Sequence, residues 1–243
     1  MLRQILGDAI DLIYPPRCIA CENATETPQG LCGRCWRDTH FFTGSVCDIC
    51  GVAVPTAADH PGRVICDSCT HAPPAWDKGR TAIAYEDVGR RVILAFKHGD
   101  RLDMCGVLAQ WMARSARSLH AEGAIIAPVP LHWRRLIRRK YNQSAELARA
   151  IAPEIGAEFV PDLLIRTRHT APQSGTRDER HAAMRDAIKV APKHNRMVKG
   201  RPVLIVDDVM TSGATLSACT EALRPCAPRT VMALALARVA RDA

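Results

Sequence analysis

Four cysteine pairs with the spacing C-x-x-C lie within the first 70 residues, and this crowding constrains the fold more than any other feature. The chain has 243 residues and 11 cysteines, and random placement would give roughly 0.5 such pairs. Two thiolates separated by two residues can reach one ion from a tight turn, and Zn²⁺ takes four such ligands in a tetrahedron. We therefore predict structural zinc, because four thiolates leave no open coordination position for chemistry. The predicted ligands are Cys18, Cys21, Cys32, Cys35, Cys47, Cys50, Cys66 and Cys69.

The grouping of these ligands into sites has two solutions. Sequential tetrads, 18/21/32/35 and 47/50/66/69, are favoured, but a cross-braced arrangement fits the same spacing. Disulfides, a redox motif and an iron–sulfur cluster are the other uses of such cysteines. Zinc is favoured because no export signal is visible and because a redox role needs one motif, not four in a row. Residues 18–75 have few apolar positions, so metal would supply the folding free energy of this segment.

The apolar content and the charge are typical of a globular protein. Hydrophobic residues make up 47% of the chain and the formal net charge is +8, which excludes a disordered chain. No apolar run approaches the roughly 20 residues of a membrane-spanning helix, and the N-terminus lacks a signal-peptide pattern. We expect a soluble cytoplasmic protein without membrane insertion. The linker at residues 71–76 contains two consecutive prolines, and we expect it to separate a zinc ribbon domain with an N-terminal helix (residues 1–76) from a second domain (residues 77–243).

Strand-like and helix-like segments alternate in the second domain. Ala124–Val129 and Pro202–Val206 are continuous apolar runs typical of buried strands, whereas Gln143–Ile151 has a helical period. This alternation predicts an α/β fold in which helices cover both faces of a parallel sheet. The remaining predicted segments are strands at Thr81–Tyr85 and Thr230–Leu236 and helices at Val88–Lys97, Leu102–Leu119 and Thr215–Leu223.

The stretch from Pro202 to Thr215 joins a buried strand to two carboxylates and a loop of small polar residues. Open α/β sheets bind ligands beyond the carboxyl ends of their strands, and a helix N-terminus offers N–H groups to a phosphate. Asp207 and Asp208 cannot bind a phosphate, but they can accept hydrogen bonds from a diol. The stretch therefore predicts a site for a ribose 5-phosphate, although the loop alone could be an ordinary capped helix start. The phosphate would lie on Thr211, Ser212, Gly213, Ala214 and Thr215.

Residues Val203–Thr215 resemble, without a mismatch, the phosphoribosyl diphosphate (PRPP) signature of type I phosphoribosyltransferases. Together with the cysteine-rich segment, this signature makes the chain resemble the ComF family of competence-associated, phosphoribosyltransferase-like proteins with a zinc ribbon. The resemblance continues in short pieces whose order along the chain is specific. These pieces are Phe96–Gly99, Val129–Pro130, Arg139–Ser144, Arg166–Arg168, Gln173 and Ala237–Arg238.

The resemblance implies a type I phosphoribosyltransferase-like sheet and a site for PRPP with Mg²⁺. The catalytic and ribose-binding acids would be Asp207 and Asp208, and residues 173–180 would form a hood over the site. Transfer of the phosphoribosyl group to an unknown acceptor would release pyrophosphate, which cations stabilise electrostatically. Candidates to hold the pyrophosphate are Lys97, Arg139, Lys140, Arg177 and Arg180.

Two departures from the family pattern bear on turnover. An Asn of the family corresponds to Ala183 here and a Phe to Ile188, so the hydrogen bonds of that Asn are not available. Some phosphoribosyltransferases also carry an acidic base at the position of Thr211. Any base in this chain would have to come from elsewhere, such as Asp178 or Glu179.

The basic segment, residues 132–141, supports an alternative hypothesis. Cations at positions 134, 135, 138, 139 and 140 lie between Trp133 and Tyr141, and such side chains can pair with phosphates and stack on bases. The chain could accordingly be a non-catalytic module for DNA uptake that senses a nucleotide and binds single-stranded DNA or a competence helicase. The same cations flank the pyrophosphate side of the site, so both hypotheses stay open.

Overall fold

A five-stranded parallel sheet, in the order β1-β7-β6-β2-β3, forms the centre of the molecule. The computed structural model describes residues 15–25, 29–54, 62–98, 101–131, 141–167 and 187–239. The sheet strands are β1 (Lys78–Ala84), β2 (Ile125–Pro128), β3 (Glu158–Phe159), β6 (Pro202–Met210) and β7 (Thr230–Arg238). A separate antiparallel pair consists of β4 (Leu164–Arg166) and β5 (Ile188–Val190).

Helices follow the strands as the alternating pattern predicts. Short 3₁₀ turns lie at 102–104, 117–119, 192–194 and 224–226. Within the described residues, no helix combines the length and the apolar character that crossing a bilayer requires. The helices are α1 (Gly33–Arg37), α2 (Asp67–His71), α3 (Asp87–His98), α4 (Cys105–Ala116), α5 (Gln143–Glu154), α6 (Asn195–Val198) and α7 (Ala214–Leu223).

The core lies on both faces of the sheet, because alternate residues of a strand point to opposite faces. On β6, Leu204 and Val206 pack with α3, α4 and α5 on what we call the first face. Val203 and Ile205 pack with α7, β4 and β5 on the second face. The predicted fold class, a parallel sheet flanked by helices, is confirmed.

The two cysteine segments contact opposite faces of the sheet beside β1. Cys35 belongs to the buried cluster of the first face, and Cys50 belongs to that of the second face. The chain between them runs antiparallel to β1, where Phe42 N donates to Ala82 O at 3.0 Å. This segment supplies backbone partners to a strand edge that would otherwise be exposed.

The domain boundary at residue 76 stays a prediction. Trp76 is buried in the same cluster as Cys50 of the cysteine segment and Ile205 of the sheet, so this cluster is continuous across the boundary. The predicted N-terminal helix falls on residues 1–14, which lie outside the described residues.

Candidate functional site

The acidic pair lies within β6, not beyond its end as the apolar run predicted. The strand continues to Met210 because β7 is equally long and keeps the register, with Asp207 opposite Ala235 and Met210 opposite Arg238. Asp207 and Asp208 therefore occupy a rigid position near the carboxyl end of the sheet. This is the edge where open α/β sheets bind ligands.

The Asp207 side chain is partly buried and held by two hydrogen bonds. Its Oδ1 accepts from Ser144 Oγ at 3.2 Å and from the backbone N of Asp208 at 2.9 Å. Burial, followed by the nearby charge of Asp208, raises the pKa of Asp207 to about 7, although Lys97 and these hydrogen bonds oppose the shift. The carboxyl group can thus gain or lose a proton near neutral pH.

A lysine from α3 pairs with the second carboxylate. Lys97 Nζ lies 3.1 Å from Asp208 Oδ1, and both side chains are mostly buried. Phe96, which precedes the lysine, is fully buried on the first face and fixes this end of α3. The sequence predicted Lys97 as a pyrophosphate ligand, and the structure brings it to the acidic pair.

Asn142 and Gln143 align the start of α5 with the site. Asn142 is the N-cap: its Oδ1 accepts from Ser144 N at 3.1 Å, and its Nδ2 donates to Val129 O at 2.9 Å, after β2. Gln143 is buried, and its Nε2 donates to Lys97 O at 3.5 Å. These contacts explain why Ser144 reaches Asp207. Asn142, Gln143 and Ser144 belong to the family-like segment Arg139–Ser144, but the sequence did not predict that they position the start of α5.

The loop after β6 turns directly into α7. Gly213 is the N-cap of α7 and has a φ of +77°, a left-handed conformation that suits glycine. Ser212 Oγ accepts from Ala214 N at 3.3 Å. Thr211 is exposed, and Ser212, Ala214 and Thr215 are partly exposed. The loop can therefore present N–H and O–H donors to an anion, as the signature predicts.

Trp76 lies against this loop, and no sequence signal indicated it. A Cβ atom on Gly213 would lie 2.7 Å from Trp76 Cη2. The indole Nε1 donates to Ile49 O at 2.6 Å. The tryptophan therefore contacts both the predicted phosphate loop and the second cysteine segment.

The eight paired cysteines form two sequential tetrads. Within each tetrad, all sulfur atoms lie within 4.8 Å of one another. Cys21 and Cys32 sulfurs are 3.7 Å apart, and Cys50 and Cys66 sulfurs are 3.6 Å apart. A tetrahedral Zn²⁺ with Zn–S bonds of about 2.3 Å separates its sulfurs by about 3.8 Å, so both sites fit structural zinc. We call them the first zinc site (Cys18, Cys21, Cys32 and Cys35) and the second zinc site (Cys47, Cys50, Cys66 and Cys69).

One thiol of each tetrad favours the ionised form that binds zinc, whereas the pKa values of Cys21, Cys35, Cys50 and Cys69 are raised. Burial acts to raise the pKa of Cys18, but hydrogen bonds from the backbone of Cys32, Ala20 and Cys21 lower it to about 6. Hydrogen bonds from Cys50 and Cys69 hold the pKa of Cys47 far below its usual range. Outside the tetrads, Cys219 is fully buried, whereas Cys105 and Cys226 are only partly buried.

Several predicted site residues fall outside the described residues. They include two of the PRPP-binding candidates, Arg139 and Arg180, and the hood that contains Gln173. Their placement at the site stays a prediction. The same holds for Trp133, Lys140, Arg177, Asp178, Glu179 and Ala183 and for the cations at 134, 135 and 138.

Two protein families match this chain. A double zinc ribbon domain matches residues 9–70, and a phosphoribosyl transferase domain matches residues 142–243. The first match spans both zinc sites, and the second contains α5, β6, β7 and the loop at Gly213. The matches therefore coincide with the two groups of residues that the structure assembles.

Curated proteins similar to this chain cover most of its length. "Competence protein F" of Haemophilus influenzae is 29% identical over 230 residues, which cover 91% of this chain and 96% of that protein. "DNA utilization protein YhgH" of Escherichia coli K12 is 27% identical over 213 residues, which cover 85% and 83%. The similarity thus extends through the cysteine segment and the sheet together.

Solved structures match part of this chain. The allosteric regulatory enzyme of purine biosynthesis has 16% identity and a TM-score of 0.40 over 59% of this chain, and this chain covers 30% of that protein. A hypoxanthine phosphoribosyltransferase of Trypanosoma cruzi has 13% identity and a TM-score of 0.35 over 56% of this chain and 64% of its own.

Proposed function

We propose that this chain, which matches a double zinc ribbon and a phosphoribosyl transferase domain and is similar over most of its length to Competence protein F, is a member of the ComF family and binds PRPP together with Mg²⁺ at the carboxyl end of β6. The observation that carries the proposal is the acidic pair at the end of a parallel strand, followed at once by a loop with a left-handed glycine. Asp207 and Asp208 would accept hydrogen bonds from the ribose hydroxyls. Residues 211–215 would donate N–H and O–H groups to the 5-phosphate.

The charge arrangement supports a ligand with both a diol and phosphates. Asp207 is fixed by Ser144, so its carboxylate is oriented before a ligand arrives. Lys97 Nζ forms an ion pair with Asp208 Oδ1 at 3.1 Å. When ribose hydroxyls take the place of Lys97 at the Asp208 carboxylate, the lysine would bind the pyrophosphate instead. An anion at the loop and hydroxyls at the acids thus match the two ends of a phosphoribosyl group.

Magnesium fits the donor set of this site. Mg²⁺ prefers oxygen ligands and keeps several waters, so PRPP oxygens would supply most of its coordination. Asp207 and Asp208 offer the nearby carboxylate oxygens. When bound, the ion would neutralise the charge that develops on departing pyrophosphate.

Transfer of the phosphoribosyl group is the reaction that this ligand allows. The bond from ribose C1 to the pyrophosphate oxygen would break, the acceptor would form a bond to C1, and pyrophosphate would leave with the electron pair. Asp207 and Asp208 would hold the sugar while positive charge develops on it, a preorganised electrostatic role. Pyrophosphate release from PRPP, assayed against bases, amines and nucleic acids, tests for turnover and identifies the acceptor class.

Thermal stability with and without PRPP and Mg²⁺ tests binding directly. A ligand that binds only the folded state raises the melting temperature, and Asp207→Asn combined with Asp208→Asn should abolish that rise. Asp103→Asn is the matched control, because Asp103 also pairs with a cation, Arg101, but lies on the 3₁₀ turn at 102–104 and not on β6. Absence of a rise in the unmodified protein at millimolar PRPP would refute the proposal.

A role in DNA uptake is the second function that we propose. The names of the related proteins concern competence and DNA utilization, and the first cysteine segment carries an aromatic ring among cations. Trp36 is 49% exposed, lies 4.8 Å from the Phe41 ring, and stands on α1 between the exposed Arg34 and Arg37. Such a surface suits single-stranded nucleic acid, whose bases stack on aromatic rings.

Salt-dependent binding of labelled single-stranded DNA tests this second function. Phosphate contacts make affinity fall steeply with salt. Neutralising Arg134, Arg135, Arg138 and Arg139 should weaken binding and flatten that dependence, and Trp36→Ala should weaken it without changing the salt slope. Binding that is absent, or indifferent to salt, would rule the role out. A pull-down with a competence helicase asks separately whether that partner binds.

A further inference from the structure

Trp76 lies between the second zinc site and the predicted phosphate loop. It is 5% exposed and belongs to the buried cluster of the second face, together with Cys47, Cys50 and Met210. One edge of its indole donates to Ile49 O, and another edge lies against Gly213. A single rigid side chain therefore touches both features.

The acceptor of the indole lies inside a zinc-binding turn. Ile49 stands between Cys47 and Cys50, and Gly51 N donates to Cys47 O at 2.8 Å to close that turn. A metal held by both thiolates would fix the turn and hence the direction of the Ile49 carbonyl. The position of Trp76 would then depend on the metal in this site.

The Trp76 indole is tightly packed against two glycines. A Cβ atom on Gly79 would lie 2.5 Å from Ile49 O and 3.0 Å from Trp76 Nε1, and one on Gly213 would lie 2.7 Å from Trp76 Cη2. Side chains are thus absent at the two positions where the indole meets β1 and the loop. A displacement of the zinc-binding turn would be transmitted to Gly213 because no gap can absorb it.

Gly213 is the residue through which such a displacement would reach the ligand. Its left-handed φ of +77° turns the chain from β6 into α7, so it sets the direction of the N–H groups at 211–215. Arg238 supports the end of β6 just before the loop, since its Nη1 contacts Met210 Sδ at 2.7 Å.

Among the described residues, the cluster that holds the first zinc site includes neither the Trp76 indole nor residues of α7. Cys18 and Cys35 of this site pack in that cluster, on the first face. The indole of Trp36, which follows Cys35 in the chain, is half-exposed and lies on Phe41. The two zinc sites are therefore chemically alike but differently connected.

We propose that Trp76 is a positioning residue through which metal in the second zinc site, and not in the first, holds the loop at 211–215 in its anion-binding form. This proposal rests on the phosphate role that we propose for the loop. It assigns the second zinc site a role in ligand affinity in addition to its structural one.

Hydrogen exchange of the loop amides separates the two zinc sites. Cys66→Ser and Cys32→Ser form a matched pair, since each removes a half-exposed cysteine that is the N-cap of a five-residue helix. Cys66→Ser should speed exchange at 211–215, because the loop loses its support. Cys32→Ser should leave exchange there unchanged. Equal exchange at the loop in the two variants would overturn the proposal.

Trp76→Phe tests the connection with both zinc sites intact. It removes the donor to Ile49 O and shortens the ring, and we expect two zinc ions per chain to remain. If the loop of the Trp76→Phe variant adopts its binding form in about a tenth of the molecules, the Kd of that variant for ribose 5-phosphate should be about tenfold higher than that of the unmodified protein. Trp111→Phe is the control, because Trp111 is as buried as Trp76 but lies in the cluster of the first face, and it should change neither exchange nor Kd. An unchanged Kd and unchanged loop exchange in a zinc-loaded Trp76→Phe protein would contradict the proposal.

Tryptophan fluorescence adds a signal that general destabilisation does not produce. Ribose 5-phosphate should change the emission of the unmodified protein and of Trp111→Phe, but not that of Trp76→Phe. A ligand-induced change that persists in Trp76→Phe counts against the positioning role. If the unmodified protein binds no ribose 5-phosphate, the proposed function fails, and the exchange comparison alone then decides whether the second zinc site controls the loop.

Discussion

Lys97 Nζ lies 3.1 Å from Asp208 Oδ1, so an ion pair joins the end of α3 to the carboxyl end of β6. The pair lies beside Asp207, and Lys97 lowers the pKa that burial raises at that carboxyl group. The positive charge of Lys97 thus stabilises the ionised forms of both Asp208 and Asp207. A diol that approaches the acids would compete with this lysine for the same carboxylate.

Replacing Lys97 with Met should weaken PRPP binding. The variant loses a charged contact to pyrophosphate, which is worth about 1.5–3 kcal/mol, so the Kd should rise about 10- to 100-fold. The pKa of Asp207 should also rise, since the lysine opposes the effect of burial. Calorimetric titration with PRPP and Mg²⁺ measures the loss. Lys97→Arg keeps the charge and should retain most of the affinity; equal affinities for the Met variant and the original protein would contradict the role.

Asp207 should make the folded chain less stable as pH rises. Its pKa is about 7 in the folded state, where burial raises it, against 3.8 for an unperturbed aspartic acid. The folded state therefore binds this proton more tightly, so the contribution to the free energy of unfolding is fully present below about pH 4 and is lost as pH rises through about 7. Asp207→Asn carries no such proton and should gain stability relative to the original chain between pH 5 and 8.

Denaturant titrations at several pH values check this dependence. Asp103→Asn is the control, because hydrogen bonds from Arg101 lower the pKa of Asp103 below its ordinary value of 3.8. Its contribution is present above that value and is lost as pH falls, so its stability difference should be flat between pH 5 and 8. A flat difference for Asp207→Asn over the same range would disprove the prediction. The same variant should lose PRPP affinity although it is more stable.

Asn142→Ala should reduce both stability and ligand affinity. The variant loses the N-cap of α5 and the bond to Val129 O, which together should cost about 1 kcal/mol or more. Ser144 then loses its alignment with Asp207, so the Kd for PRPP should rise. Asn142→Ser retains a capping oxygen but not the bond to Val129 O that anchors the start of α5 to β2, so it should recover part of the stability and little of the affinity. Chemical denaturation and calorimetry measure the two effects, and unchanged values of both for Asn142→Ala would refute the role.

Zinc should leave the two sites at different rates. Three of the four ligands are buried in the second zinc site, whereas the first has an exposed Cys21 and a half-exposed Cys32. A coloured chelator should therefore remove two zinc ions per chain in a fast and a slow phase. Cys32→Ser should remove the fast phase and Cys66→Ser the slow one. A single phase, or iron in place of zinc by metal analysis, would contradict this prediction.

The metal sites and the elements of the sheet were predictable because they depend on local chemistry. Two cysteines three positions apart can reach one ion from a single turn, so the eight ligands follow from spacing, whereas the structure decided that the tetrads are sequential and not cross-braced. Buried strands such as β2 and β7 need continuous apolar residues on both faces, and both appear as such runs. The end of β6 was misplaced at Val206, because its partner strand, and not its own composition, extends the pairing to Met210.

The sequence by itself determined which residues could ligate zinc, which segments are buried, and that acids precede a glycine-containing loop. Only the tertiary structure decided that Ser144 meets Asp207 across 63 residues, that Lys97 pairs with Asp208, and that Trp76 lies on Gly213. The physical reason is strand order. Ligand spacing and burial are satisfied within a few residues of one another, whereas contacts between distant segments exist only after the strands have paired as β1-β7-β6-β2.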